Sequence, residues 1–214
     1  MPQALAQEEK LLLFIGDSIT DADRHMSPDG LGWGYVRFIY ESMRIKYPEL
    51  RITMINRGID GNRLADLEMR WDKDCIKLQP DFVSILIGIN DTWRMFDQNQ
   101  LSPIHEFETR YRKLLKHLTS QSKAKIILCT PFMLPDPPDR AKWRSDLDAR
   151  IAVIEKLAGE FNAILVPFDQ LFDTAAKSAP CLHWLHDGVH PTKAGHELMA
   201  ELWLQAFMKD AVPA

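Results

Sequence analysis

The sequence predicts an α/β domain of three layers, in which helices cover both faces of a five-stranded parallel sheet. Five short apolar segments alternate with longer segments whose apolar residues recur every three or four positions. A short continuous apolar run is typical of a strand buried on both faces, and the longer period is that of an amphipathic helix. Strands that alternate with helices join in parallel through right-handed crossovers. The length of 214 residues predicts a single domain over residues 1–214.

The five predicted strands cover residues 11–15, 52–55, 82–87, 126–129 and 163–168. Each is a run of apolar, mostly branched side chains that ends at Gly, Pro or a polar residue. The first three strands end in polar clusters, which are Gly16-Asp17-Ser18, Asn56-Arg57-Gly58 and Gly88-Ile89-Asn90-Asp91.

Amphipathic helices are predicted between the strands. One apolar face is formed by Leu64, Leu67, Trp71, Cys75 and Leu78. A second helix is predicted after Ser102, with Ser102 as its N-cap and Pro103 at the first helical position. A last helix carries Leu198, Met199, Leu202, Trp203 and Phe207. The Pro-rich segment 131–138 is predicted to be a surface loop.

The charge and cysteine content of the chain exclude several classes of partner. Lys and Arg number 26 against 30 Asp and Glu, the net charge is −4, and the basic residues are interspersed with acids. Nucleic-acid binders present a basic patch, so we expect no such partner. The apolar run 11–15 is too short for an export signal or a membrane span. The three cysteines contain no C-x-x-C pair, which suggests small core residues in a reducing, cytoplasmic compartment.

Residues suited to acyl transfer follow the predicted strands. Ser18 comes directly after the first strand and is a candidate nucleophile, although Asp-Ser is also typical of a helix N-cap. Asp187 precedes His190 by three residues in a turn with Gly and Pro, so it could orient the imidazole as a base, although an exposed turn is the better explanation of the pair taken alone. Gly58 and Asn90 could donate to an oxyanion, or could form a turn and a helix cap.

The order of these residues resembles SGNH hydrolases of the GDSL lipase/esterase superfamily. The matching blocks are Gly16-Asp17-Ser18, Asn56-x-Gly58, Gly88-x-Asn90-Asp91 and Asp187-x-x-His190-Pro191, which together span residues 16–191. The resemblance implies a flavodoxin-like sheet and no metal or organic cofactor. It also implies Ser18 as nucleophile, His190 as base and Asp187 as its orienter, with an oxyanion hole formed by the Ser18 and Gly58 N–H groups and the Asn90 amide.

Within this family, the longer motifs are most similar to the intracellular bacterial acetylxylan esterase-like subgroup. That resemblance implies a homo-oligomer that deacetylates xylo-oligosaccharides, a small-molecule ester substrate. The predicted substrate contacts are Asp17, Trp93 and Arg94, with the indole of Trp93 as a wall for a sugar ring. Helix packing is an equal explanation for Trp93, and surface charge is the better one for Arg94. Asp60 stands where a small residue is common and adds a negative charge near the site.

Three alternative functions remain open from the sequence. The first is a broad short-chain carboxylesterase, thioesterase or lysophospholipase, which differs from a deacetylase in its preferred acyl length. The second is a metal hydrolase, because five possible ligands lie close in sequence, namely His183, His186, Asp187, His190 and His196. The third is a carbohydrate-binding relative without activity.

Overall fold

Five parallel strands form one sheet in the computed structural model, which describes residues 8–211. The strands are β1 (Lys10–Gly16), β2 (Ile52–Gly58), β3 (Phe82–Leu86), β4 (Lys125–Cys129) and β5 (Ile164–Val166). They lie in the order β2-β1-β3-β4-β5, which is the flavodoxin-like order. The predicted fold class is therefore confirmed. Residues 1–7 and 212–214, which belong to the predicted domain and include most of the polar N-terminal segment, lie outside the described residues.

Helices connect the strands and pack on both faces of the sheet. The α-helices of the described residues are α1 (Ser18–Asp21), α2 (Tyr35–Lys46), α3 (Leu64–Asp74), α4 (Ile89–Asp97), α5 (Ile104–Gln121), α6 (Arg144–Glu160), α7 (Phe168–Ala175), α8 (Cys181–Trp184) and α9 (Lys193–Ala211). Short 3₁₀ helices cover Arg24–Met26, Ile76–Leu78 and Pro138–Trp143. None of the helices within residues 8–211 combines the length and apolar character that crossing a membrane requires.

Two hydrophobic cores lie on opposite faces of the sheet because side chains alternate along each strand. Leu12 and Phe14 of β1 pack into one core, with residues of α2, α7 and α9. Leu13 and Ile15 pack into the other core, with residues of α3 and α5. Helix α6 contributes to both cores. The predicted three layers follow from this arrangement.

Two local predictions are wrong. Ser102 does not cap α5, whose N-cap is Pro103, because the Ser102 hydroxyl donates instead to Asp91 Oδ1 at 3.0 Å. The segment 131–138 is exposed only in part, since residues 131–134 are buried. Its Leu134 N–H donates to the Gly188 carbonyl oxygen at 2.8 Å, which ties the segment to the turn before α9.

Candidate active site

The predicted site residues gather at the carboxyl ends of β1 and β3. In the sheet, β1 lies between β2 and β3, because the chain adds β2 on one side of β1 and then adds β3 on the other side. The direction in which strands are added therefore reverses at β1. In open parallel sheets a crevice forms at such a reversal. Ser18 is the first residue of α1, separated from β1 by the N-cap Asp17, and Asn90 follows β3 in the first turn of α4.

Ser18, His190 and Asp187 form one hydrogen-bonded series, although 172 residues separate the first two. Ser18 Oγ lies 3.1 Å from His190 Nε2. His190 Nδ1 lies 2.9 Å from Asp187 Oδ2. With the Nδ1 proton directed at the carboxylate, Nε2 is left to accept the proton of the serine hydroxyl.

The turn at residues 187–190 holds the carboxylate and the imidazole in this arrangement. Asp187 Oδ1 accepts hydrogen bonds from the backbone N–H groups of Val189 at 3.0 Å and His190 at 2.8 Å. Gly188 has a φ of +80°, and a Cβ there would lie 2.5 Å from the Leu134 carbonyl oxygen. A residue with a side chain at this position would therefore displace the turn from the 131–134 segment.

The electrostatic environment keeps Asp187 ionised and increases the basicity of His190. Burial alone would raise the pKa of the Asp187 carboxyl, but the hydrogen bonds from His190 and Val189 hold it well below its ordinary value. The hydrogen bond to Asp187 raises the pKa of His190 above its ordinary value, although burial opposes this effect. The negative charges of Asp17 and Asp60 raise the pKa of His190 further.

Asp17 is a buried helix cap rather than a substrate contact. Its side chain is 0% exposed, and its Oδ1 accepts the Ile19 N–H at 3.1 Å as the N-cap of α1. Among the described residues, its Oδ2 has no hydrogen-bond partner. Burial raises the pKa of this carboxyl to about 7. The prediction that Asp17 contacts the substrate is therefore wrong, because the helix cap places the carboxylate beneath the site.

The Gly58 N–H cannot serve as the predicted oxyanion donor. It donates its single hydrogen to Asn56 Oδ1 at 2.8 Å, inside the protein. Gly58 is instead required by packing, since a Cβ there would lie 2.1 Å from the Asp21 backbone nitrogen. The other two predicted donors remain compatible with that role. The Ser18 N–H begins a helix, where amides lack an intrahelical partner. Within residues 8–211, the Asn90 amide donates one of its two hydrogens, to the Asn62 carbonyl oxygen at 3.1 Å, and the other has no acceptor.

Trp93 lies beside the base, whereas Arg94 does not. The Trp93 ring centroid is 5.8 Å from that of His190 and 5.3 Å from that of Trp143. The Arg94 guanidinium pairs with Asp97 at 2.8 Å in a partly exposed ion pair of α4. A Cβ on Gly61, the neighbour of the cleft residue Asp60, would lie 3.8 Å from the Arg94 guanidinium, so the predicted substrate contact of Arg94 stays a prediction beside the surface-charge explanation.

Arg140 connects Trp93 with the turn that carries the base, and sequence reasoning missed it. Its guanidinium carbon lies 4.4 Å from the Trp93 ring centroid and 4.8 Å from that of Trp143. The same group donates to the Asp187 carbonyl oxygen and lies 3.8 Å from Asp187 Oδ2. No local motif marks such a residue, because its partners are distant in sequence.

A cleft of about 450 Å³ opens beside Ser18 and His190. Its remaining lining residues are Ile19, Asp21, Ala22, Asp23, Asp60, Pro191 and His196. The charged side chains among them are all carboxylates, and Asp21 pairs with Arg24 at 3.4 Å. The five residues proposed above as metal ligands do not converge, and residues 8–211 contain no group of three or more His, Cys, Asp or Glu side chains placed to hold a metal ion.

Comparison with known proteins places the chain among GDSL enzymes. The profile of the GDSL-like Lipase/Acylhydrolase family matches residues 14–198. An acetylxylan esterase of Geobacillus stearothermophilus is 38% identical over 205 residues, which cover 91% of this chain and 92% of that protein. A solved structure of that esterase superposes with a TM-score of 0.87 at 34% identity, covering 98% and 99% of the two chains. A GDSL-like lipase from Parabacteroides merdae gives a TM-score of 0.89 at 38% identity, covering 93% and 95%.

Proposed function

This chain belongs to the GDSL-like lipase/acylhydrolase family and is a carboxylic ester hydrolase, and we propose that it removes acetyl groups from acetylated carbohydrates such as xylo-oligosaccharides through an acyl-enzyme on Ser18. The observation that carries this proposal is the series Ser18 Oγ–His190 Nε2 at 3.1 Å and His190 Nδ1–Asp187 Oδ2 at 2.9 Å. A hydroxyl, a base and a carboxylate in this geometry are the elements of serine acyl transfer.

In the proposed reaction, His190 Nε2 accepts the proton of Ser18 while Ser18 Oγ attacks the ester carbonyl carbon. Asp187 holds the imidazole and stabilises the imidazolium that forms. The tetrahedral intermediate collapses, and the leaving alcohol takes the proton from His190. A water molecule then gives its proton to His190 and attacks the acetyl-enzyme, which releases acetate and restores Ser18.

For the oxyanion we propose the Ser18 N–H, the second hydrogen of the Asn90 amide, and the Gly61 N–H in place of that of Gly58. Gly61 has a φ of +72°, and a Cβ there would meet only the Arg94 guanidinium, at 3.8 Å, so the residue lies in open space. Its neighbour Asp60 lines the cleft of Ser18. Within residues 8–211, the Gly61 N–H is paired with no acceptor. The Asn90–Asn62 hydrogen bond fixes the Gly61 segment relative to α4.

The carbohydrate substrate is supported by the similarity to esterases named for acetylxylan and by the polar cleft. The half-buried Trp93 beside His190 keeps its proposed role as a wall for a sugar ring. The carboxylates of the cleft disfavour polyanionic substrates such as coenzyme A thioesters, because like charges repel. We also propose a cytoplasmic homo-oligomer. Cys75, Cys129 and Cys181 form no disulfide, which suits a reducing compartment, whereas the homo-oligomer rests on the family resemblance.

The proposal is tested by hydrolysis of acetyl, butyryl and octanoyl 4-nitrophenyl esters, beside acetate release from acetylated xylo-oligosaccharide. We expect activity on the sugar and on the acetyl ester, a decline with acyl length, and a loss of at least about 10³-fold in Ser18→Ala. Activity that survives in Ser18→Ala would reject the mechanism. Ser18-dependent activity that is absent on the sugar or favours octanoyl esters would reject the substrate and leave the short-chain or lipid esterase alternatives.

A further inference from the structure

A second histidine lines the cleft and has no part in the proposed acyl transfer. His196 lies in the first turn of α9, and it shares the cleft with Ser18 and His190. Its side chain is half-buried. Unlike His190, it contacts no carboxylate among the described residues.

The hydrogen bond at one ring nitrogen determines where His196 carries its proton. The Tyr35 N–H, at the start of α2, donates to His196 Nδ1 at 3.1 Å. Amides at a helix start lack an intrahelical partner, so Nδ1 completes the N-terminus of α2. A nitrogen that accepts a hydrogen bond carries no hydrogen, and the neutral imidazole must therefore hold its proton on Nε2.

The ring is also fixed in place and kept neutral. It stacks on the Tyr35 ring with centroids 6.4 Å apart and planes inclined by 11°. A Cβ on Gly34 would lie 2.8 Å from His196 Cε1, so the backbone approaches the ring closely. Burial, assisted by the charges of His186 and His190, lowers the pKa of His196 to about 4. His196 therefore stays a neutral donor across the range in which His190 titrates.

We propose that His196 is a substrate-binding residue whose Nε2–H donates to a hydroxyl or ring oxygen of the carbohydrate while the acetyl group lies at Ser18. This inference rests on the proposed function. Among the described residues His196 Nε2 has no acceptor, whereas the charged side chains of the cleft, such as Asp23 and Asp60, can only accept when ionised. A sugar hydroxyl both donates and accepts, so His196 supplies the donor that the carboxylates cannot.

Two substitutions at His196 separate substrate binding from support of α2. In His196→Asn the side-chain oxygen takes the place of Nδ1, so the Tyr35 N–H keeps an acceptor while the cleft loses its donor. In His196→Gln the amide nitrogen takes the place of Nε2, so the donor remains while the acceptor for Tyr35 is lost. His183→Asn, at an exposed histidine outside the cleft, is the matched control.

The measurement compares kcat and KM on acetylated xylo-oligosaccharide with those on 4-nitrophenyl acetate, whose alcohol carries no hydroxyl to bind. We expect His196→Asn to lose about 3- to 10-fold in kcat/KM on the sugar ester, mainly through KM, as for one neutral hydrogen bond. Its kcat/KM on 4-nitrophenyl acetate should stay within about twofold of the wild type. His196→Gln should keep most of the sugar preference and lose thermal stability. An equal loss on both esters, or an unchanged sugar preference in His196→Asn, would overturn the inference.

Nitrogen NMR of the imidazoles in the wild-type protein tests the contact without any substitution, so a misfolded variant cannot affect the result. Addition of unacetylated xylobiose should shift the protonated Nε2 resonance of His196, with its neutral tautomer unchanged from pH 6 to 8. A resonance that does not move at saturating xylobiose would refute the contact. If instead the wild type cleaves simple acetates in a Ser18-dependent manner but releases no acetate from the sugar, the proposed substrate fails, and the xylobiose titration still decides the role of His196.

Discussion

Three carboxylates from separate parts of the chain raise the pKa of His190. Their charges therefore influence the pH range in which His190 can act as a base. Asp187 contacts its Nδ1, while Asp17 and Asp60 act on it through their charges. All three favour the protonated imidazole, and His196 remains neutral in the same range. Because only the neutral form of His190 can accept the Ser18 proton, these charges move the active range upward.

We therefore expect kcat/KM on 4-nitrophenyl acetate to rise with pH, with a midpoint above the ordinary histidine pKa of about 6.5. Asp60→Asn should lower this midpoint, because it removes a negative charge that raises the pKa of His190. Asp23→Asn is the matched control, since Asp23 lines the same cleft without a comparable effect on His190. A profile that is flat between pH 5 and 9, or a midpoint equally lowered in both variants, would contradict this assignment.

Asp17 makes stability depend on pH in the direction opposite to that of a salt-bridged carboxylate. Its pKa is about 7 in the folded protein and 3.8 ordinarily, so between these values the folded chain holds a proton that the unfolded chain has released. The stability that this group contributes is therefore present below pH 4 and is lost as the pH rises to 7. The loss is about 1.4 kcal/mol per pH unit where Asp17 is protonated in the folded chain and ionised in the unfolded chain.

The variant Asp17→Asn removes this dependence, because Asn keeps an oxygen for the Ile19 N–H and carries no charge at any pH. Relative to that of the wild type, its free energy of unfolding should become progressively larger from pH 4.5 to 7.5 and then level off. Urea unfolding followed by far-UV circular dichroism at several pH values measures the difference. Parallel stability curves for the two proteins would show that Asp17 titrates normally.

At the scale of residues, the sequence motifs predicted which residues form the site. They could not predict the direction in which a backbone N–H such as that of Gly58 points. The resemblance to SGNH hydrolases is confirmed by the family match, and Ser18, Asp187 and His190 come together as a triad would require. Gly58 was chosen from its place in a motif, but the orientation of its N–H toward Asn56 is a property of three-dimensional structure. The Asp-Gly pair at residues 60–61 was the available signal for a turn with positive φ.

At the scale of elements, Arg140 contacts three segments that also meet one another at Trp93. It lies over Trp93 of α4 and Trp143 of the 3₁₀ helix, and it donates to the carbonyl oxygen of Asp187 in the turn. Its side chain is only 12% exposed, so these interactions are weakly screened by solvent. We infer that Arg140 fixes the position of the turn relative to Trp93.

Arg140→Ala should therefore reduce both stability and activity. Loss of a charge-assisted hydrogen bond and of stacking on aromatic rings predicts a decrease of about 2–4 kcal/mol in the free energy of unfolding. A small displacement of the turn predicts a loss of about 10- to 100-fold in kcat on 4-nitrophenyl acetate. Arg94→Ala removes only a partly exposed ion pair and should change stability by less than about 1 kcal/mol. Similar losses of stability in the two variants, or an unchanged kcat in Arg140→Ala, would contradict a specific role for Arg140.

The strands and helices were predictable because their apolar residues recur with a clear period. The conformation of the segments between them depends on contacts with residues distant in sequence. All five strands occur at the predicted places, with ends that differ by a few residues. The α3 pattern continued to Leu78, but the α-helix ends at Asp74 and a 3₁₀ turn follows. Ser102 had the local signature of a cap, but Asp91 competes for its hydroxyl, and nothing near Ser102 in sequence indicates that contact.

At the scale of the whole molecule, both hydrophobic cores share the five strands as their common wall. Trp203 is buried in one core, where it stacks on Phe207 and donates to Ser84 Oγ at 2.9 Å. Trp71 is buried in the other core, among Leu13, Ile15 and neighbouring residues. Each strand supplies alternate side chains to both cores, so neither core can lose its packing without removing support from the other.

This shared wall predicts that the chain unfolds as one cooperative unit, as expected for the single domain inferred over residues 1–214. The Trp71→Phe and Trp203→Phe variants each remove one buried tryptophan, from opposite cores, so their differences in fluorescence from the wild type report on the two faces separately. Within each variant, urea midpoints from tryptophan fluorescence and from far-UV circular dichroism should coincide. Trp203→Phe should have the lower urea midpoint of the two, because it loses the hydrogen bond from Trp203 to Ser84, which contributes about 1 kcal/mol. Two separate transitions, with one core unfolding while circular dichroism still reports an intact sheet, would mean that the faces are independent and that the single-domain prediction is wrong.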